Sequence, residues 1–413
     1  MAVAIALGSY AQSGTNSPYS QYGVGLLADQ SAGFSRGMNG AGIALRQGNV
    51  VNTLNPASYA SVDSLTMIFD LGVSGQLTNF KEGGKRLNAK NANFDYAVGS
   101  FRLFPNVGMA FGLLPYSNIG YKYNTQTYLD NTNGTITETY TGSGGLHQLF
   151  VGAGWRVTPR LSVGANVTYL WGTLDRSVTS SSTTYVNSLS RSYTASVNTY
   201  KVDLGLQWQQ PLNNTDMLML GATLGISHKL GADVSCKDIN VTNKDTTTYT
   251  VPDGYAVPMT YGVGVAWSHA NRLLVDADFT LQTWGKLDYP DIDANGKYAL
   301  QSGLLKDRYQ LRVGADFVPD AMGRKYFKRV HYRMGVGYAT PYYTINGHDG
   351  PKELSVSAGF GLPLQNSYNN RSILNVSAQW VRTSAANMIT ENTFRINLGL
   401  TFNERWFAKW RID

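Results

Sequence analysis

From about residue 62 onward the chain alternates apolar and polar side chains with a period of two, the spacing of a β-strand whose faces meet different surroundings. In the stretch 272–284, Leu273, Val275, Ala277, Phe279 and Leu281 fall on one face, while Asp276, Asp278, Thr280 and Gln282 fall on the other. Leu161, Val163, Ala165, Val167, Tyr169 and Trp171 oppose Ser162, Gly164, Asn166 and Thr168 in the same way. Tyr309, Leu311, Val313, Ala315 and Phe317 oppose Arg308, Gln310, Arg312 and Asp316, and Tyr332, Met334, Val336 and Tyr338 oppose His331 and Arg333. The apolar faces commonly begin or end with Tyr, Trp or Phe, as strands do where aromatic rings sit at two bilayer–water interfaces. The polar faces carry several charges each. A sandwich core would bury such charges at high cost, whereas a water-filled or plugged barrel lumen accommodates them.

Fourteen such segments can be counted, near 62–79, 92–103, 106–122, 146–157, 160–175, 196–210, 216–230, 255–268, 271–285, 307–318, 330–341, 352–362, 373–383 and 392–402, with boundaries good to about three residues. An even number lets both chain ends lie on one side. Tight connections at 103–106, 157–160 and 268–271 alternate with long polar stretches at 123–145, 176–195, 231–254 and 286–306, read as short inner turns and long outer loops. The predicted fold is therefore all-β, a 14-stranded antiparallel transmembrane β-barrel over 62–402. The last strand sets Phe394, Ile396, Leu398, Leu400 and Phe402 against Arg395, Asn397, Gly399 and Thr401. A basic, aromatic tail over 403–413 is expected at the periplasmic interface.

The segment 12–61 does not alternate. It is rich in glycine (Gly23, Gly25, Gly33, Gly37, Gly40, Gly42, Gly48) and poor in large apolar side chains, so it cannot build a core of its own. Packed inside a polar lumen it would serve as an N-terminal hatch. Before it, Met1–Leu7 is apolar and Ser9-Tyr10-Ala11 is small-residue rich, so residues 1–11 read as a signal-peptide remnant with cleavage near Ala11–Gln12.

Composition narrows the partners. Only 15% of the residues are charged, and the net charge of +7 is spread along the chain, which argues against nucleic acid and suits anionic lipopolysaccharide. No run approaches the length of a helical membrane span. The single cysteine, Cys236, has no internal partner. His147, His228, His269, His331 and His348 lack metal-type spacing and no G-x-S-x-G elbow occurs, so neither enzyme activity nor a metal or cofactor is expected. Asp276, Asp278, Arg308, Arg312, Asp316 and Arg333, on three consecutive strands, are expected to form a lumen network that clamps the hatch. Pro115 cannot donate to a sheet ladder and should break pairing in the third strand.

The run Arg36-Gly37-Met38-Asn39-Gly40-Ala41-Gly42-Ile43-Ala44, followed by Asn55-Pro56-Ala57-Ser58-Tyr59, resembles the N-terminal hatch of the FadL/TodX family of outer-membrane transporters for hydrophobic compounds. The segments Leu274–Phe279, Tyr309–Phe317 and Tyr332–Tyr338 resemble that family's later strands. Asn16–Gly25 and Gly359–Leu364 resemble its Bacteroidetes branch. The resemblance implies a bacterial outer-membrane location, membrane lipids and a small hydrophobic, fatty-acid-like ligand as partners, and passive uptake by lateral diffusion. The exit would lie at a kink in the third strand, placing Gly112, Pro115, Asn118 and Gly120 at a gate and Arg36, Gly37, Gly40, Gly42, Asn55 and Pro56 in the hatch. The outer stretches, however, are polar where capture of an oily ligand needs an apolar cleft. They point to an alternative, a non-transporting accessory barrel in an outer-membrane protein-assembly or secretion complex, with lipoproteins or another barrel as partners.

Overall fold

The computed structural model describes residues 14–128, 135–182, 189–240, 245–293, 296–364 and 372–405. Fourteen antiparallel strands close on themselves: β1 (Thr66–Glu82), β2 (Lys85–Phe104), β3 (Val107–Tyr128), β4 (Thr135–Arg156), β5 (Leu161–Ser182), β6 (Leu189–Pro211), β7 (Asp216–Gly225), β8 (Thr260–His269), β9 (Leu273–Gln282), β10 (Arg308–Phe317), β11 (His331–Ala339), β12 (Lys352–Pro363), β13 (Ile373–Ser384) and β14 (Thr390–Arg405). Each pairs with its sequence neighbours. Closure comes from β1 against β14, in register from Thr66↔Arg405 to Lys81↔Thr390. Apart from the distal part of β2 and β3, the ring leaves no sheet edge in hydrocarbon, the condition for strands to cross a membrane.

The period-two pattern sorts the side chains as expected. Val167, Leu204, Val263, Leu311, Met334 and Leu398 are exposed on the outside, while Asn166, Asp278, Asp316, Arg333 and Asn397 are buried within. Exposed aromatics ring both ends, with Trp155, Trp267, Phe317 and Phe402 toward the rim that carries the start of β1, and Tyr261, Tyr309, Tyr338 and Trp380 toward the opposite, distal rim. Burial on one face alone fixes the register, because a one-residue slip would exchange the two sets.

Two expectations need correction. The polar stretches at 123–145, 176–195, 231–254 and 286–306 are largely not loops. Strands β3 to β6 run on into them, Val234–Asn240 pairs with Thr246–Val251 and also lies against β6, and Tyr289–Ile292 pairs with Tyr298–Gln301. Thr, Ser and Tyr favour extended backbone, and a strand beyond the membrane needs no apolar face, so the apolar period that marks the wall disappears while the pairing continues. The first strand also begins at Thr66 rather than near 62, since the Val62 amide still belongs to a turn, donating to the Tyr59 carbonyl at 3.2 Å. On the rim carrying the start of β1, the turns at 105–106, 157–160 and 270–272 are tight. The distal turn at Gly83–Gly84 is equally tight, an exception to the alternation of lengths; both residues have positive φ.

Candidate functional site: the filled lumen and the β2–β3 seam

Residues 14–61 lie inside the barrel. A chain with few large side chains can be buried only where backbone meets backbone, and the inward glycines of the wall permit this. A Cβ on Gly164 would stand 2.4 Å from the Pro56 carbonyl, and one on Gly335 would stand 2.4 Å from that of Met38. The turn Pro56–Ser61 is started by Asn55, whose Oδ1 accepts from the Ala57 amide at 3.1 Å while its Nδ2 donates to the carbonyl of Ile43 at 2.9 Å and to that of Leu206 on β6 at 3.2 Å. Arg36, 6% exposed at the end of the one-turn helix Gly33–Arg36, pairs with Asp95 of β2 at 3.3 Å and lies over the Tyr96 ring. Gly37 packs on the Arg333 side chain, and Gly40 takes a positive φ of 79° beside Arg312.

The six charged wall residues do not form one network. Asp278 Oδ2 accepts from the amides of Gly42 (2.7 Å) and Ile43 (3.0 Å), and Arg312 donates to the Gly40 carbonyl (3.0 Å) and faces Asp29 at 3.6 Å. Burial opposes ionisation of Asp29, but Arg312 and Arg36 outweigh it and bring the carboxyl down to about 2. A second cluster joins Asp316 to Arg333 (3.0 Å) and His331 (2.9 Å); Arg333 also donates to Asn375 and covers the Phe34 ring. Asp276 is fully buried with no hydrogen-bond partner among the described residues, and Arg308 lines a lumenal cavity instead. That cavity, of about 540 Å³, is also lined by Asp29, Arg36, Lys201, Asp203 and Arg312. Leu26, Leu27, Leu54, Leu114 and Phe150 line it as well, so charged and apolar surface share its wall.

The third strand is irregular where expected. Strands β2 and β3 pair only from Phe104↔Val107 to Ala97↔Leu113, so the distal half of β3 has no partner in β2. Against β4 the register shifts between Pro115 and Ser117. The exposed edge is taken by the N-terminal segment. Leu26 and Leu27 pair with Asn118 and Ser117, the Ala28 amide donates to the Tyr116 carbonyl at 2.9 Å, Gln30 Nε2 donates to that of Pro115 at 3.1 Å, and the Gly120 amide donates to Ser20 Oγ at 3.1 Å. Pro115, Asn118 and Gly120 thus sit together at the seam. Gly112 does not: it lies in regular register with Val98 and Phe150, below the shift.

Above the seam is a feature that reading the polar stretches as loops concealed. Tyr19, Tyr121, Tyr255, Tyr298, Tyr342, Tyr343 and Trp284 form a buried core across the distal end, flanked by Tyr22, Tyr123, Tyr140, Tyr193 and Tyr289. Arg176 donates within it to Tyr289 and to the Gly23 carbonyl, and Tyr342 donates to the Gly25 carbonyl. The density of tyrosine in otherwise polar stretches was the available signal, since a ring with a hydroxyl buries its body and satisfies its tip. Cys236 lies in the same core, where burial and then Asp238 push its thiol up to about 11, away from reactivity at neutral pH. Among the described residues no three His, Cys, Asp or Glu side chains gather as metal ligands.

Solved structures share this architecture at low sequence identity. A FadL homologue from Pseudomonas aeruginosa superposes with a TM-score of 0.65 at 12% identity, over 91% of this chain and 99% of that one. The Ralstonia pickettii toluene transporter TbuX gives 0.62 at 13% over 90% and 98%, and the Pseudomonas putida toluene transporter TodX gives 0.60 at 17% over 93% and 100%. At such identities the likeness establishes the fold alone. No curated protein sequence matches the chain. The family model named BamG, by contrast, matches residues 1–413, the whole length, and the chain belongs to the BamG family.

Proposed function

We propose that this barrel resides in the bacterial outer membrane as a non-transporting accessory subunit of a protein-assembly or secretion complex. The observation that carries the reading is the filled lumen. The N-terminal segment occupies the wall's inward glycines and charges, and the tyrosine core spans the distal end. A solute crossing this interior would have to displace the segment packed against the wall. Purification from native membrane in mild detergent tests it: other envelope proteins in fixed stoichiometry support the accessory role, whereas an isolated barrel carrying bound lipid defeats it.

Passive uptake of small hydrophobic compounds is the second reading, favoured by the β2–β3 seam and by the fold of the channels. It requires residues 14–30 to leave the β3 edge. Replacing Pro115 by Val tests this through uptake of a hydrophobic tracer into cells. Lower uptake with higher thermal stability supports a lateral exit, and unchanged uptake removes it. The hatch assignment has its own test. A variant lacking residues 12–50 should insert and conduct small ions in planar bilayers, and wild-type conductance would contradict it.

A further inference from the structure

The outer surface of the barrel changes character sharply at the distal ends of β1, β2, β13 and β14. Val73, Leu77, Phe94, Trp380, Phe394 and Ile396 point outward and are exposed. Leu77 faces Phe394, which faces Trp380, an apolar row across three strands. One pleat repeat beyond, about 7 Å along the strand, the outward row reads Asn88, Asn79, Asn392 and Arg382, each opposite the next. The next repeat brings Lys81 opposite Arg86, and Lys90 stands opposite Leu77 itself. Cations and amides therefore begin where the lipid-facing belt ends.

Three of these cations converge. Lys81, Arg86 and Arg382 line one groove of about 620 Å³ together with Asn79, Asn392 and Met388, and Glu82 is its one carboxylate. Among the described residues none of the three cations has an ion pair, in contrast to the lumenal Arg36, Arg312 and Arg333, each of which has one. Unpaired Lys and Arg beside primary amides, directly above an aromatic–aliphatic belt, match a ligand with phosphate, sugar hydroxyls and acyl chains in that order. A phosphodiester lipid lacks the sugar that the amide row would bind. We propose that this groove holds the phosphorylated sugar headgroup of an outer-leaflet glycolipid, with its acyl chains along Leu77, Phe394 and Trp380.

The proposal rests on the outer-membrane placement and is independent of whether the barrel transports or assembles. Its test uses the full chain, delipidated in detergent, with bis-phosphorylated lipid A as the probe and native mass spectrometry as the readout. The variant Lys81→Gln/Arg86→Gln/Arg382→Gln should lose at least tenfold in lipid A bound. A control variant at the opposite rim, Arg324→Gln/Lys325→Gln/Lys328→Gln, should bind as wild type. Dephosphorylated lipid A should bind the wild-type protein no better than the groove variant does. Retention of both heat-modifiable migration and tyrosine fluorescence shows that each variant is folded. Equal lipid A binding by the groove variant and wild type overturns the site, as does equal loss in the control. Equal binding of phosphatidylglycerol and lipid A overturns the assignment to a glycolipid. These outcomes differ from failure of the accessory role, which is read from co-purifying proteins alone.

Discussion

The two ends of the filled lumen close by different physics. Toward the start of β1, the N-terminal segment is held by point contacts: amides on Asp278, a carbonyl on Arg312, the Phe34 ring under Arg333, and backbone against wall glycines. At the distal end the same segment enters a tyrosine core in which Tyr19 and Tyr22 are two rings among many. Directional, desolvated contacts fail one at a time and at high cost. Burial of ring surface is spread over many partners, so the loss of any one contact there costs little. The lower contacts therefore fix the position of the segment, and the upper core supplies bulk closure.

Three substitutions would break or sharpen that contrast. The largest effect is expected for Asp316→Ala, which leaves the Arg333 guanidinium, its side chain 1% exposed, without its carboxylate; removing one partner of a buried pair costs about 3–5 kcal/mol. Urea titration of the heat-modifiable band reads this as a lowered midpoint. Next comes Gly164→Val, whose Cβ would overlap Pro56; overpacking of this kind costs about 1–3 kcal/mol, and limited proteolysis should cleave the N-terminal segment faster than in wild type. Smallest is Tyr123→Phe, which keeps the ring and loses one hydrogen bond to Gln21 at 2.8 Å, about 0.5–1.5 kcal/mol. Should Tyr123→Phe lower the midpoint as far as Asp316→Ala, the two ends would not differ in kind.

The wall was legible in the sequence because lipid on one side and a polar interior on the other impose a strict period of two; Val167 and Asn166 or Leu311 and Arg312 announce it. The distal extensions were not, because nothing apolar lies outside strands such as β3 beyond Tyr121, and the pairing of Thr125 with Glu138 leaves no periodic trace. Among the site residues, Pro115 was readable from its missing N–H. The Gln30 side chain that donates to its carbonyl was not, since that contact joins residues 85 apart. The charges on β9 to β11 were correctly placed on the inner face, yet alternation says nothing about partners. It could not tell that Asp278 would meet two amides while Asp276, two residues away, meets no base.

The N-terminal segment also dictates an order of events during folding. Ser17 bonds Glu391 across 374 residues, Arg36 reaches Asn397 across 361, and Asn39 accepts from Gln379 across 340. The first residues of the barrel to be synthesised thus find these partners only after β13 and β14 exist. Contacts of such sequence separation form late and slowly. Until then a glycine-rich chain with no partner of its own must remain unpaired beside a growing sheet, and the zipping of β1 to β14 is the event that encloses it. Pulse proteolysis during refolding should therefore show the segment gaining protection together with the closed, heat-modifiable form. Protection that precedes closure would mean that the segment templates the wall instead of being captured by it.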